Sequence, residues 1–161
     1  MDIDILKRTT FIVGDAEQSA AFYQSVFNWS IWYDNELEAD YRFPPSGASD
    51  QAKVRLIILQ AKDPKLGKLG LLEYIDSPFE AAVPELKTKV RLGDPILVIE
   101  TTDIEGIHER AVSAGATIVS APVDWHVPGP TAGSKIHLRT VSFFDPNGIY
   151  MEVSDHPSRK V

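Results

Sequence analysis

Apolar positions along this chain follow two alternating periods, and their order repeats. From Arg8 to Val13 the run "RTTFIV" is β-branched and aromatic, as a strand requires, and it stops at Gly14-Asp15. Asp15 is a candidate helix N-cap, with Gln18 three residues on able to reach back to the cap's backbone N–H. Ser19, Phe22, Tyr23, Val26 and Phe27 follow at helical spacing and form one largely apolar, core-facing stripe. Asn28 predicts the stop, because Asn tolerates the left-handed conformation found just past a helix end. "WSIWY" then alternates like a strand. Residues 34 to 52 are polar, contain Pro44, Pro45, Ser46 and Gly47, and read as a loop. "KVRLIILQ" and "LGLLEYI" read as two more strands.

The order then restarts. "PILVIET" from Pro95 is a strand, Asp103 is a second N-cap candidate, and Ile104, Ile107, Ala111 and Ala114 form a helical stripe closed by Gly115. "ATIVSA" is a strand, a long loop with Pro122, Pro128, Gly129, Pro130 and Gly133 follows, and "KIHLRTVSFF" and "IYMEV" flank a turn built from Asp145, Pro146, Asn147 and Gly148. The element order β-α-β-β-β therefore occurs twice, the pattern of an internal duplication. Module one is expected over 6–76, a connector over 77–94 and module two over 95–156.

Composition narrows the function classes. The 161 residues carry a formal net charge of -7 with the basic residues scattered, so no electrostatic footprint for a nucleic-acid backbone is expected. With no cysteine the chain has no thiolate metal site, no Cys nucleophile and no disulfide. No run of about 18 apolar residues occurs, and the acidic start lacks a signal-peptide core, so no membrane partner and a cytoplasmic location are expected. Walker A, G-x-G-x-x-G, G-x-S-x-G and H-E-x-x-H motifs are absent.

Chemistry concentrates at the module ends. In "FFDPNGIYMEV", period two puts Ile149, Met151 and Val153 on one strand face and Tyr150, Glu152 and Ser154 on the other. Leu71, Glu73 and Ile75 share a face in "LLEYI". Two readings of Glu152 stand open: a water-facing carboxylate on a half-buried strand, or one of two Glu residues aimed into a shared cleft. Thr140 and Ser142 are expected to look into that cleft, with Val141 and Phe143 packed under the helices. His126 lies beside Trp125 in the long loop and reads either as a neutral-pH acid or base under an aromatic lid, or as an exposed loop residue. His137 and His156 read as surface residues and His108 as structural.

The Asp145-Pro146-x-Gly148 turn followed by Glu152, and the strand-helix junction "VGDAEQSAAFYQSVFNW", resemble the vicinal oxygen chelate superfamily, which includes glyoxalase I, extradiol dioxygenases and bleomycin-resistance proteins. The resemblance spans roughly Arg8 to Asp155. It implies an α+β fold in which two βαβββ modules form an incomplete eight-stranded mixed β-barrel around a cleft, and a homodimer. In metal-using members the ligands come from the first and last strands of each module. Here those positions fall on Arg8, Glu73, Ile96 and Glu152. Arg has no lone pair to give and Ile no donor atom, so Glu73 and Glu152 alone would be metal ligands, fit for a hard cation such as Mg²⁺ at most. The expectation is therefore no cofactor, with a divalent metal as the alternative. Arg8 reads either as the cation that replaces the metal between the two Glu residues or as a surface residue on a frayed strand.

What the resemblance implies for function is a glyoxalase-like enzyme, such as a lyase, isomerase or dioxygenase, acting on a small oxygenated molecule. Glu152 would be base or ligand, Arg8 the partner of an oxyanion and His126 a second catalytic group. The alternative is a metal-independent binding protein of the bleomycin-resistance type. Trp32, Tyr33, Glu73, Trp125, Thr140, Ser142 and Tyr150 are the expected ligand contacts.

Overall fold

The computed structural model describes residues 4–76, 78–79 and 87–157. The chain divides into two compact units, Met1–Val83 and Pro84–Val161. Part of the expected connector lies outside the described residues.

The first unit contains β1 (Arg8–Ile12), α1 (Ala16–Phe27), β2 (Ser30–Glu38), β3 (Lys53–Gln60) and β4 (Lys68–Tyr74). Asp15 adopts an extended backbone and its carboxylate accepts from Gln18 N–H at 2.8 Å, while Asn28 closes the helix in the left-handed region at φ 57°. Both caps are the ones expected. The strands form a mixed sheet in the order β1-β4-β3-β2, with β1 parallel to β4 and the other pairs antiparallel. Helix α1 packs on β3 and β4. Leu69 and Leu71 of β4 and Ile57 and Leu59 of β3 share the helix-facing side and are buried. Arg55 on that side reaches Glu17 of α1 at 3.0 Å, which fixes the face. Beyond the helix end, Phe27 and Trp29 stack at 4.8 Å.

The opposite side of the same sheet is apolar at one end. Val54, Leu72 and Tyr74 form a second core with Ala39, covered by Phe43, Ala48 and Ala52 from the β2–β3 connection. Strand β2 runs to Glu38, so the loop expected from 34 begins later. Asp34 and Glu36, which read as loop residues, sit in the ladder opposite Ile57 and Arg55. Asp34 is held by Arg55 at 2.9 Å.

The second unit repeats the order with β5 (Ile96–Glu100), α2 (Ile104–Ser113), β6 (Thr117–Pro128), β7 (Lys135–Phe144) and β8 (Tyr150–Asp155), in a sheet ordered β5-β8-β7-β6. Asp103 caps α2 by accepting from Gly106 N–H at 3.2 Å. Ile104, Ile107 and Ala111 are its buried stripe, and Val141, Phe143, Met151 and Val153 are fully buried sheet residues that alternate with the hydroxyl-bearing positions. Arg139, in step with Val141 and Phe143, bonds Glu105 of α2 at 2.9 Å, so this is the helix-facing side. The structure thus has the α+β architecture of two βαβββ modules, each an open four-stranded mixed sheet with one helix.

One segment departs from expectation. Residues 122 to 128, expected in a loop, complete the twelve-residue strand β6. Trp125 pairs with Leu138, His126 with His137 and Val127 with Ile136. Pro128 ends the strand, and Pro122 sits inside an irregular stretch of register between Ser120 and Val123, where a missing ladder N–H is tolerated.

Candidate functional site

The β7–β8 turn sets the register of the module-two site. Buried Asp145 accepts from the N–H groups of Asn147 at 2.9 Å and Ile149 at 2.8 Å with one carboxylate oxygen, and Gly148 takes φ 80° to close the turn. Such a positive φ is open to Gly at little cost. The resulting pairs, Phe144 with Tyr150, Ser142 with Glu152 and Thr140 with Ser154, project to the sheet side away from α2. Val98 of β5 lies beside Glu152 and Ile96 beside Tyr150 on the same side.

This helix-free side of module two gathers Glu152, Thr140, Ser142, Tyr150 and Trp125 from the expected set. Trp125 donates its indole N–H to Thr140 Oγ1 at 2.8 Å, and Thr140 Oγ1 is 3.0 Å from Ser154 Oγ. Thr140, Ser142 and Ser154 are buried, Glu152 and Tyr150 half-buried, and Trp125 remains 40% exposed. Tyr150 meets Phe144 edge-on at 5.2 Å. A carboxylate thus stands among hydroxyls with an aromatic plane fixed nearby. Ser154, absent from the expected contacts, is the hydroxyl that completes the Trp125–Thr140 chain. Its alternation with Glu152 was the signal for it.

His126 is elsewhere. Strand alternation puts it on the face opposite Trp125, and its ring stacks on His137 at 4.8 Å. His137 Nε2 is 2.9 Å from Asp124 Oδ1, and Asp124 also meets Arg139. His137 first, and Arg139, hold the Asp124 carboxyl below its usual range by stabilising the anion. This polar group borders α2 through Arg139 and Glu105, so His126 and Glu152 do not share a face. The expectation that pairs His126 with Trp125 over one site fails because both belong to a regular strand, not to a loop.

Glu73 is likewise on the helix-facing side of its own sheet. Its carboxylate accepts from the N–H of Ala16, the first residue of α1, at 2.8 Å. A free N–H at a helix start is one of the orphan donors, and a negative charge there is favoured by the helix dipole. The strand registers show why the two Glu residues are not counterparts. Thr10 and Val98 each stand five residues before their helix caps, Asp15 and Asp103, and their parallel partners are Gly70 and Glu152. Gly70 is therefore the counterpart of Glu152, and Asp155 the counterpart of Glu73. The Gly70 position has no room for a side chain: a Cβ there would lie 2.5 Å from Thr10 Oγ1.

Arg8, in contrast, lies on the helix-free side of module one, opposite Lys68 of β4. Arg8 is exposed and Lys68 half-buried, its ammonium 4.0 Å from the centre of the Trp32 ring. Tyr33 lies next to Trp32 with ring centres 6.3 Å apart. Arg8 and Glu73 therefore point to opposite faces of their sheet, and of the two readings of Arg8 the exposed position matches the surface residue. Lys68 was missed because its pairing with Arg8 depends on a parallel register that periodicity does not reveal.

The metal expected in some relatives does not fit these residues. The first-strand positions hold Arg8 and Ile96, the module-one last-strand position holds Gly70, and Glu73 is engaged with α1. Among the described residues no group of three or more His, Cys, Asp or Glu is arranged to hold a metal ion. Glu152 alone supplies an oxygen donor at the family positions.

The described residues include no helix long and apolar enough to cross a membrane. No curated protein matches the chain. Among solved structures, a glyoxalase family protein from Bacillus cereus superposes with a TM-score of 0.71 at 14% identity, covering 96% of this chain and 95% of that one. A glyoxalase I mutant from Zea mays gives a TM-score of 0.62 at 20% identity, covering 94% of this chain and 47% of that one. An integron cassette protein from the mobile metagenome of V. cholerae gives 0.54 at 21% identity, covering 97% and 98%. These similarities establish the fold. The family model of the Glyoxalase/Bleomycin resistance protein/Dioxygenase superfamily matches residues 5–153, nearly the whole chain, and the protein belongs to that superfamily.

Proposed function

We propose that the protein is a metal-independent enzyme of the glyoxalase-like class that moves a proton on a small oxygenated organic molecule, with Glu152 as the base. One observation carries this reading: Glu152 is half-buried on the helix-free sheet face, beside Ser142 and the Trp125–Thr140–Ser154 chain, with no cation paired to it among the described residues. A carboxylate not committed to an ion pair keeps its lone pairs for a substrate proton. The hydroxyls of Thr140, Ser142 and Ser154 can exchange hydrogen bonds with carbonyl or hydroxyl oxygens, and Trp125 offers an apolar plane whose orientation Thr140 sets.

Proton transfer is the step that isomerase and lyase chemistry share. Which follows depends on whether a leaving group lies next to the carbanion. A second reading, a binding protein of the bleomycin-resistance type, is favoured by the lack of donors at the first-strand positions Arg8 and Ile96. The test is exchange of the proton α to a carbonyl into D2O, followed by NMR over a panel of small hydroxy-ketones and ketoacids. The enzyme reading predicts exchange by the wild type, loss of exchange in Glu152→Gln, and retained ligand binding by that variant. The binding reading predicts binding by both proteins and exchange by neither.

A further inference from the structure

We infer that module one carries its own binding site for the acid group of a small organic anion, formed by Arg8 and Lys68 beside Trp32. The registers of β1 and β4 put Arg8 and Lys68 directly opposite each other, so both side chains leave the same sheet face. Like charges in that arrangement repel, and proteins ordinarily relieve them with a carboxylate. None does so here: neither residue has an ion pair among the described residues, although the chain carries an excess of acidic groups. Lys68 instead rests on the face of Trp32, which is 57% exposed. A cation held on an aromatic plane keeps its charge and its remaining N–H donors directed outward.

The surroundings strengthen the field. Lys62 and Lys65 lie in the turn joining β3 to β4, and Lys7 precedes β1, all at the sheet end where Arg8 and Lys68 pair. Asp63, the acidic residue of that turn, spends its carboxylate on the N–H groups of Lys65 at 2.7 Å and Leu66 at 3.0 Å. A local cluster of cations in a chain of net charge -7 selects small anions, because a polyanion would also meet the repulsion of the whole molecule. The planar Arg8 fork matches two oxygens of a carboxylate or phosphate, Lys68 adds a point charge, and the uncovered edge of Trp32 with Tyr33 receives an apolar or aromatic body.

This site does not depend on the chemistry assigned to Glu152, and the experiment keeps them apart. Calorimetric titration would use benzoate, phenyl phosphate, inorganic phosphate and the neutral benzyl alcohol as probes. The expected result is that benzoate or phenyl phosphate binds with a Kd near about 1 mM, with benzyl alcohol and inorganic phosphate at least about tenfold weaker. Whichever of the two acids binds tighter identifies the carboxylate or the phosphate as the preferred acid group. Arg8→Gln and Lys68→Gln each weaken binding by about tenfold, while Arg8→Lys, which restores the charge, recovers part of it. The inference is overturned if neither acid binds below about 10 mM, if benzyl alcohol or inorganic phosphate binds as well as the aromatic acids, or if the Arg8 and Lys68 variants bind like wild type.

Discussion

Replacing Glu73 with Ala asks whether that carboxylate belongs to the start of a helix or to a ligand site. The N–H it accepts from, on Ala16, belongs to a fully buried residue, and the bond is 2.8 Å long. Leaving a buried donor unpaired costs about 1–3 kcal/mol. Loss of a negative charge at a helix N-terminus adds about 0.3–1 kcal/mol. Because Glu73 is itself half-buried, solvent screens part of its charge and water can enter the gap, so Glu73→Ala should lose about 2 kcal/mol. Glu73→Gln keeps an oxygen acceptor and loses only the charge, about 0.5–1 kcal/mol. Urea unfolding with a common slope reads both values, and thermal melting should show Glu73→Ala lowered by about 4–8 °C. A Glu73→Ala value within about 0.5 kcal/mol of wild type, or an equal cost for Gln and Ala, would rule out this role for the Glu73 carboxylate.

Other expected outcomes follow from single contacts. Asp145→Ala removes the acceptor for two turn N–H groups and should cost about 2–3 kcal/mol in urea unfolding, whereas a value under about 1 kcal/mol would show the turn forms without it. Thr140→Val takes away the acceptor of the Trp125 indole, so its N–H resonance should shift upfield in NMR; an unmoved resonance would mean the bond is absent in solution. Arg55, by hydrogen bonding first and charge second, holds the Asp34 carboxyl below its ordinary value of 3.8. A carboxyl so lowered contributes stability that is present above its unfolded value and lost as pH falls through the lower folded one. Arg55→Gln should therefore raise the Asp34 midpoint toward 3.8 in a carboxyl NMR titration and flatten the stability change below that pH; an unchanged midpoint would remove Arg55 as the cause.

The parts of the fold legible in the sequence are those with local causes. Asp15, Asn28 and Asp103 announce helix ends by their own backbone and side-chain chemistry, and the Asp145 turn fixes the phase of β8 relative to β7. That phase carries Thr140, Ser142, Tyr150 and Glu152 together onto one face. Strand β6 was hidden because its outer half is exposed on both sides and bounded by prolines, so no apolar alternation marks it. The facing of Glu73 was hidden for the opposite reason. Leu71 and Leu72 are both buried, so β4 is apolar on each side and its pattern does not say which side meets the helix. Only the packing of α1 over Leu69 and Leu71 decides it, and Glu73 follows them. The equivalence of Gly70 with Glu152 then required the parallel registers of β1 with β4 and β5 with β8, which are long-range facts.

On the proposed function, the residues at the family's ligand positions make no metal site and Glu152 is free to act as a base. The most direct measurement is titration of the chelator-treated protein with Mn²⁺, with free ion read by electron paramagnetic resonance and Glu152→Gln run in parallel. No site tighter than about 100 µM is expected, with the same curve for both proteins. One tightly bound ion per chain, lost in Glu152→Gln, would contradict it.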